Sequence, residues 1–550
     1  RIQQNSHKFR RVFSLKINNS ILFILLLFSA FIIRLLPIDF PKFTQEEARI
    51  AFRGYTLSTF GKDELGRSFP LLFNSLTDYQ LPAVSYITAF GEMLFGKSDF
   101  GARIPFILLG VALVLLVYKI AQIFSPRKEF WFLSAAIIAF SPALIFLSKI
   151  PNESILLIFL LSALFYFLIK TNPNTKLIFP LIVLLFVSSK FAWFITAPFV
   201  ILTLKFFPNN LLKKTKVKIS LACILISFLA FAIFWRVPQS GRSLMENNFS
   251  IFSDVTVKNG INQLRGQGLE AHWPQFLDKI LFNKVHFLIA GLLNWFSQLQ
   301  PSSFFGKFDE TAKGFINTGI LQKVLIIPFI IELGYAVKKG GRKQIMLLTY
   351  PFILTFPMLL LSSTHNKELL LSSVPFISLI IALGFFNVNR LIRIFIVCLM
   401  VFETGINFIN LNMNIKGGNE VRPSWVREMI LEGLTISSNQ KLAISDDLTQ
   451  DIGPFIQWFG GVGQSGDYKE ISFPYKFRQS KVSDIKIIGS ERVFYKCAND
   501  KPTYIIASER DVKEIKRWLN VKTEEITIKT FKDNLGHEVA YLFEPTICVQ

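Results

Sequence analysis

Residues 20–36 read SILFILLLFSAFIIRLL, an apolar run of about the length that crosses a bilayer as one helix. Arg10, Arg11 and Lys16 precede this run, as basic residues do in a secretory signal peptide, but no small-residue cleavage site follows it. We therefore expect a retained membrane anchor.

The whole 550-residue chain has the composition of a multispan membrane protein. Hydrophobic residues make up 51% of it and charged residues only 18%, whereas a soluble domain carries about 25% charged residues. This composition excludes a disordered chain, a collagen-like chain and a small disulfide scaffold, and it argues against an ordinary cytosolic enzyme. The formal net charge of +22 fits either a nucleic-acid partner or basic cytoplasmic loops.

Further apolar runs bring the predicted number of membrane-spanning helices to about eleven. These runs cover 104–124, 130–147, 154–169, 177–189, 192–204, 217–235, 318–337, 345–361, 369–386 and 393–410. An interrupted apolar run at 284–299 is interpreted as an interfacial helix hairpin, with a membrane-spanning segment as the alternative.

The distribution of basic residues predicts the orientation in the cytoplasmic membrane. If the N-terminus is inside, the short inner segments contain 20 Lys and Arg residues and a single acid, Glu129, whereas the short outer loops contain 3 basic residues. Because positively charged loops stay in the cytoplasm, we expect the N-terminus inside and the C-terminus outside. The same rule explains the basic runs KKTKVK and KKGGRK, so no nucleic-acid partner is expected.

Large segments then face outward: the first loop at 38–103, the second loop at 237–317 and the tail at 411–550. The tail contains alternating stretches such as KLAISDD and TYIIASE, which predict a small α/β domain with helices at 423–434 and 510–519. We therefore divide the chain into a helical transmembrane domain at 1–410 and an extracytoplasmic α/β domain at 411–550.

The four cysteines fall into two pairs. Cys223 and Cys398 lie in predicted spans and are interpreted as packing residues. Cys497 and Cys548 lie in the outer tail, where a disulfide is allowed, and the sequence leaves open whether they are bridged.

A pair of acids, Glu46 and Glu47, opens a helical pattern in the first outer loop. Carboxylates near a bilayer surface can remove a proton from a hydroxyl or hold a divalent cation. The structural alternative is that acids at a helix N-terminus merely complement the helix dipole, and position alone favours this alternative.

Two other outer clusters contain ionisable residues. Lys149 and Glu153 lie in one short loop, and His365 and Lys367 lie in the segment STHNKE between two spans. An ionisable residue at the mouth of a span is a functional hypothesis by default, and basic side chains can bind phosphate. The structural alternatives are a helix start capped by Asn152 and a solvated tight loop.

These motifs resemble those of the GT-C superfamily of integral-membrane glycosyltransferases, in the bacterial branch similar to protein O-mannosyltransferases and aminoarabinose transferases. The resemblance is specific in the first 110 residues and loose from there to about residue 411. The matching residues are Glu46-Glu47-Ala48, Gly61 to Gly66, Phe69-Pro70, Asp78 to Pro82, Leu94-Phe95-Gly96 through Arg103 to Gly110, and Ser148-Lys149 with Glu153.

The resemblance implies transfer of a sugar from a polyprenyl phosphate to an acceptor hydroxyl or phosphate on the outer face of the membrane. It implies catalytic roles for Glu46, Glu47 and Glu153, and a substrate-binding role for Asp78 and Tyr79. It also allows a divalent cation, Mg²⁺ or Mn²⁺, held by Glu46 and Glu153. The sugar and the acceptor, whether protein, lipid or envelope glycan, stay open.

The sequence departs from the usual pattern of the family at two positions. Gln80 stands where relatives often have a Lys that meets the donor phosphate, so Arg103, Lys149, His365 or Lys367 would have to bind the phosphate instead, and the alternative for Arg103 is a structural anchor under the loop. Glu46 stands where relatives usually have Asp, and the alternative is that Glu47 matches the more constant second acid and Glu46 is only tolerated.

A flippase or transporter of a lipid-linked glycan is the competing interpretation. Transporters tend to show internal repeats and charges at mid-membrane. No repeat stands out in this sequence, and the main charge inside a predicted span is Arg34, near its end. The acid- and glycine-patterned first loop favours an enzyme.

The predicted orientation is tested by proteolysis of intact cells. A protease added outside should cleave the tail at 411–550, and the basic inner segment at 205–218 should stay protected until the membrane is permeabilised. Fragments are followed by immunoblotting, and a protected tail would reverse the proposed orientation.

Overall fold

A computed structural model provides the structure of the protein. It describes residues 19–37, 42–64, 66–74, 79–207, 212–237, 250–276, 280, 285–306, 308–310, 315–361, 367–413, 422–436, 441–449, 452–460, 480–482, 485–488, 503–513, 527–533 and 536–543.

Most of the described chain is helical. The helices before the tail are α1 (Asn19–Leu35), α2 (Gln45–Phe60), α3 (Pro82–Phe95), α4 (Asp99–Phe124), α5 (Lys128–Ala139), α6 (Pro142–Ser148), α7 (Glu153–Ile169), α8 (Thr175–Ser188), α9 (Ala192–Phe206), α10 (Lys213–Arg236), α11 (Val255–Glu270), α12 (His286–Gln298), α13 (Pro301–Phe305), α14 (Ile326–Lys339), α15 (Arg342–Thr355), α16 (Lys367–Ser372), α17 (Val374–Phe386) and α18 (Arg390–Met413). The loops between them contain two short hairpins, β1 (Phe73–Asn74) with β2 (Tyr79–Gln80) and β3 (Phe308–Glu310) with β4 (Phe315–Thr318).

Three helices in the described residues, α4, α10 and α18, are long and apolar enough to cross a membrane. The bent pair α5 and α6 passes the same test as one broken span, and shorter apolar segments lie in α1, α7, α8, α9, α15 and α17. Each apolar run predicted from the sequence contains a helix, so the protein is an integral membrane protein. The total of about eleven crossings stays a prediction.

The break between α5 and α6 bends the chain by 59°. Pro142 is the first residue of α6, where its missing N–H is not needed, and Ser141 caps the helix by accepting a hydrogen bond from the N–H of Leu144 at 3.4 Å. The Ser141 hydroxyl also donates to the carbonyl of Ile320 at 2.7 Å. The bend directs α6 to its end at Lys149, at the candidate site described below.

Aromatic side chains hold the helical body together where α7, α9, α15 and α17 meet. Tyr350 stacks on Phe376 with 4.6 Å between ring centroids, and Phe165 packs edge-on against both rings at 5.0 Å. The Tyr350 hydroxyl is buried but is hydrogen-bonded to Thr203 at 2.9 Å, so the contact leaves no unpaired polar atom at that position.

Helix α2 carries the acid pair of the first loop and begins with a capping box. The N–H of Glu47 donates to the Thr44 hydroxyl at 3.2 Å, and the N–H of Thr44 donates to the Glu47 carboxylate at 3.3 Å. Gly61 ends the helix in the left-handed conformation, with φ of 65°. Helix α3 packs so closely against α2 that a Cβ atom at Gly54 would lie 2.7 Å from the side chain of Thr88.

The tail contains helices α19 (Trp425–Ile436) and α20 (Gly453–Phe459) and six strands, β5 (Lys441–Ser445), β6 (Ser480–Val482), β7 (Ile485–Ile488), β8 (Thr503–Ser508), β9 (Thr527–Lys532) and β10 (Glu538–Phe543). The strands form one sheet in the order β6-β7-β5-β8-β10-β9. Strand β5 is parallel to both β7 and β8, and the other pairs are antiparallel.

The small sheet predicted for the tail is confirmed, since KLAISDD contains β5 and TYIIASE contains β8. The helix predicted at 423–434 is α19, and the helix predicted at 510–519 is helical over 509–513. The rest of that helix lies outside the described residues, as do Cys497 and Cys548. The domain boundary at residue 410 stays a prediction.

The tail and the first loop share one hydrophobic cluster. It combines first-loop residues with residues of α19, α20 and the sheet, among them Phe43, Ala48, Ala51, Phe52, Trp425, Met429, Ile456 and Trp458. Burial of this cluster holds the sheet against helix α2.

Candidate functional site

Glu46 is the more open acid of the pair, with 34% of its side chain exposed. The Gln80 amide nitrogen donates to one oxygen of Glu46, and the guanidinium of Arg49 lies 3.8 Å from the other. The Gln80 amide oxygen accepts a hydrogen bond from Arg53 at 2.8 Å. Because a guanidinium can only donate, this contact fixes the amide with its NH₂ group toward Glu46.

Arg53 is fully buried and is itself held by Glu64. Its Nε lies 2.9 and 2.8 Å from the two Glu64 oxygens, and the guanidinium carbon lies 4.6 Å from the ring centroid of Phe73. Burial alone would raise the pKa of Glu64, but the charge and hydrogen bonds of Arg53 outweigh it and lower this pKa. The result is a relay in which a buried ion pair orients Gln80, and Gln80 orients Glu46.

Glu47 has a different environment. Its two oxygens accept hydrogen bonds from the guanidinium of Arg422 at 2.5 and 2.8 Å, and both side chains are 5–6% exposed. Arg422 also donates to the carbonyl of Lys42. Glu47 therefore caps α2 and binds the tail to the first loop, whereas Glu46 keeps an exposed face.

Three basic side chains converge on one narrow crevice beside the C-terminal ends of α1 and α6. They are Arg34, Arg103 and Lys149, all 5% exposed or less. Arg34 donates hydrogen bonds to the carbonyls of Ala139 and Ile138, the last two residues of α5, with lengths of 2.9 and 3.2 Å. The other described residues that line the crevice are uncharged, namely Leu35, Pro37, Phe100 and Ile107.

The crevice favours an anion. Burial, and then the charges of Arg103 and Arg34, lower the pKa of Lys149 to about 7. Its ammonium group donates to the carbonyl of Leu36 at 2.5 Å. An anion placed among the three basic groups would offset their mutual repulsion and favour the protonated lysine.

Side-chain contacts connect the crevice with the start of α2. The guanidinium of Arg103 lies 4.4 Å from the ring centroid of Phe43, two residues before α2. The guanidinium of Arg422 lies 5.3 Å from the ring of Phe146 on α6, the helix that leads to Lys149. The basic crevice and the acid pair are thus joined by continuous packing.

Glu153 is the first residue of α7 and is partly buried. Asn152 caps this helix by accepting a hydrogen bond from the N–H of Ile155 at 3.2 Å. The capped helix start predicted from the sequence is therefore confirmed, and a catalytic role of Glu153 stays a prediction.

The remaining candidates are placed only in part. Tyr79 pairs with Asn74 in the β1–β2 hairpin, which also positions Gln80. Lys367 is the first residue of α16. Asp78 and His365 lie outside the described residues.

Among the residues that the structure describes, no group of three or more His, Cys, Asp or Glu side chains could hold a metal ion. A metal held by Glu46 and Glu153 therefore stays a prediction. The chemistry proposed below uses the chain's own side chains.

Sequence reasoning assigned no site role to Arg34, Arg53 or Arg422. The sequence signal for Arg34 is an ionisable residue inside an apolar run. Arg53 lies in the loop that carries the motif, but nothing local indicates its partner Glu64. Arg422 lies 375 residues from Glu47, so only the folded chain reveals their contact.

Comparisons with known proteins identify a family model and solved structures that resemble this chain. Residues 80–235 match the family model described as dolichyl-phosphate-mannose-protein mannosyltransferase. The structure is similar to that of ArnT from Cupriavidus metallidurans bound to undecaprenyl phosphate, with a TM-score of 0.54 and 10% identity, over 94% of this chain and 97% of that chain. The chain therefore shares the fold of this ArnT. The predicted resemblance to GT-C glycosyltransferases is thus confirmed.

Two other comparisons complete the findings. The apo structure of the same ArnT gives a TM-score of 0.53 at 10% identity, over 96% of this chain and 99% of that chain. The Archaeoglobus fulgidus oligosaccharyltransferase in its apo form is a weaker likeness, with a TM-score of 0.48 at 12% identity over 94% of this chain and 74% of that chain. No curated protein matches the sequence significantly.

The contact between the tail and the first loop can be tested by substitution. Arg422→Ala leaves the Glu47 carboxylate buried without its charge partner, which should lower the free energy of unfolding by about 3–5 kcal/mol. Arg427→Ala is the matched control, because Arg427 is 48% exposed and lies 3.4 Å from Asp99, and it should cost about 1 kcal/mol or less. Thermal unfolding in detergent measures both. Equal melting temperatures of the two variants would contradict the assignment.

Proposed function

We propose that the chain is a glycosyltransferase that moves a sugar from a polyprenyl phosphate to an acceptor hydroxyl or phosphate at the outer face of the cytoplasmic membrane. The observation that carries this proposal is the crevice of Arg34, Arg103 and Lys149, which contacts the start of the helix that bears Glu46. The undecaprenyl phosphate bound to the similar ArnT supports a polyprenyl-phosphate donor.

The basic groups of the crevice would bind the donor phosphate at its mouth, because the crevice itself encloses only about 10 Å³. Arg103 and Lys149 are among the residues predicted from the sequence for this role, and Arg34 joins them from the first helix. These groups would stabilise the charge that stays on the phosphate when the bond to the sugar breaks. His365 and Lys367 are kept as further phosphate ligands in this proposal.

Glu46 would act as the general base. It accepts the proton of the acceptor hydroxyl while the acceptor oxygen bonds to C1 of the sugar and the bond from C1 to the phosphate oxygen breaks. Polyprenyl phosphate leaves with the bonding electron pair. Attack opposite the leaving group would invert the anomeric centre. For an acceptor phosphate that is already ionised, Glu46 would orient the acceptor instead.

Gln80 would act as a positioning residue for Glu46. Relatives often have Lys here, but Gln80 lies between the Arg53 guanidinium and the Glu46 carboxylate and is hydrogen-bonded to both. Its role in this chain is therefore to hold the base, and the donor phosphate is left to the crevice.

The reaction is tested with the purified chain in nanodiscs and a panel of polyprenyl-phosphate sugars, with release of polyprenyl phosphate read by mass spectrometry. Glu46→Gln keeps the size of the side chain and removes the base, so the turnover rate should fall about 10²-fold or more. Glu432→Gln, which removes the charge partner of Lys529 within the tail, is the control and should turn over normally. Full activity of the Glu46 variant would remove it from the mechanism.

The relay makes a separate prediction for Gln80→Leu. Without the amide, Glu46 loses a hydrogen-bond donor and Arg53 loses a hydrogen-bond acceptor. The turnover rate should therefore fall about 10-fold, with a smaller change in the concentration of sugar donor that gives the half-maximal rate. Gln80→Glu should be worse, because it places a second carboxylate beside Glu46. A Gln80→Leu variant that changes only donor affinity would instead assign Gln80 to the phosphate site.

Donor binding should depend on pH through Lys149. With a pKa of about 7, Lys149 is protonated at pH 6 and mostly neutral at pH 8.5, so affinity for undecaprenyl phosphate should fall roughly 10-fold over this range. In Lys149→Arg the charge persists, and the affinity should change only with ionisation of the lipid phosphate. Titrations of the wild type and of Lys149→Arg in nanodiscs measure the affinity at each pH. If the two proteins give parallel pH profiles, Lys149 is not part of the phosphate site.

A further inference from the structure

A second cleft lies in the tail, outside the carboxyl ends of the parallel strands β5 and β8. Strand β5 ends at Ser445 and β8 ends at Ser508. The turn between β9 and β10 reaches the same edge, because β10 is antiparallel to β8 and Ala540 pairs with Ser508. The cleft at this edge has a volume of about 390 Å³.

The topology of the sheet creates this cleft. After β5 the chain forms β6 and β7, which lie on one side of β5 in the sheet. After β8 it forms β9 and β10, which lie on the other side of β8. Neighbouring parallel strands whose connections leave in opposite directions have a crevice outside their carboxyl ends. Open α/β sheets bind their ligands at this position.

Hydrogen-bonding groups of both kinds line the cleft. They are Asp447, Thr449, Ser508, Glu509, Arg510, Asp533 and Glu538, and the other lining residues are apolar. The Thr449 hydroxyl oxygen is buried and has no partner among the described residues. Buried polar atoms are normally hydrogen-bonded, so a ligand hydroxyl would complete this position.

The acids of the cleft have cations of the chain as neighbours. Arg510 lies 3.8 Å from Asp447, and Lys532 lies 4.0 Å from Glu538. The Asp533 carboxylate accepts a hydrogen bond from the N–H of His537 at 2.9 Å. The lining contains four acids and one arginine, so the cleft offers many acceptor atoms and a negative charge that the neighbouring exposed cations offset only in part.

This chemistry suits a neutral, hydroxyl-rich ligand. Carboxylates and hydroxyls accept from sugar hydroxyls, the guanidinium donates to them, and an apolar wall packs against the sugar's C–H groups. The same carboxylates disfavour a phosphate. Among the described residues, no cluster of acids converges closely enough to hold a metal.

The cleft is also connected to the proposed active site. Pro423 and Trp425 line it, and they follow directly after Arg422, which binds Glu47. Three residues span at most about 10 Å, so the cleft lies close to the Arg422–Glu47 ion pair.

We propose that the cleft binds a neutral saccharide portion of the acceptor. This inference rests on the proposed function and adds to it that the acceptor is a glycan held by the tail. The saccharide is recognised by Asp447, Thr449, Ser508 and Glu538, and its reactive hydroxyl or phosphate extends toward helix α2.

The test uses the full chain in nanodiscs on an array of neutral oligosaccharides built from hexoses and N-acetylhexosamines. Wild-type protein should bind a subset of them. Asp447→Asn together with Thr449→Val should weaken that binding 10-fold or more, and Glu432→Gln, a carboxylate loss outside the cleft, should not change it. The melting temperature of each variant checks that it is folded.

Several outcomes would overturn the inference. They are the absence of saccharide binding by the wild type, unchanged binding by the cleft variants, and binding only of a polyamine such as spermine or of Ca²⁺. Binding of undecaprenyl phosphate by the same wild-type sample is measured in parallel. If the lipid binds and no saccharide does, this inference fails and the proposed function stands. If saccharides bind and the lipid does not, the cleft is a saccharide site but the proposed function fails.

Discussion

The ion pair between Arg422 and Glu47 is the contact on which the arrangement of the tail against the first loop depends. It joins the tail to the first turn of α2, and both side chains are almost completely buried. A buried ion pair adds little net stability, but removal of one partner is costly, so such pairs specify an arrangement more than they strengthen it. Here the pair fixes the tail against the helix that bears Glu46, and the hydrophobic cluster around Phe52 and Trp458 supplies the favourable burial.

A second constraint is the broken helix formed by α5 and α6. The break leaves the carbonyls of Ile138 and Ala139 available to Arg34, so a charged residue at the end of an apolar helix finds partners without leaving the protein. The same break directs α6 to Lys149. One local interruption thus accounts for the placement of two of the three cations in the crevice, and their mutual repulsion helps lower the pKa of Lys149.

A third constraint is the relay that holds Glu46. The Gln80 amide donates to Glu46 and accepts a hydrogen bond from Arg53, and Arg53 is held in turn by Glu64. A buried guanidinium therefore orients Glu46 through one intervening amide, while Glu46 keeps an exposed face.

The sequence by itself determined the membrane character, the helices, the first-loop motif and the existence of a small sheet in the tail. These features follow from local signals such as apolar run length, strand alternation and capping residues. Glu46, Arg103 and Lys149 were also identified from the sequence, through the family resemblance. The sequence could not separate the roles of Glu46 and Glu47, because neighbouring acids at a helix start look alike until their partners are known. Only the tertiary structure decided that Glu47 is bound by Arg422 and that Glu46 is held by Gln80, since those contacts join segments 375 and 34 residues apart. Side-chain pairing over such separations depends on how helices and sheet pack, and no local pattern encodes it.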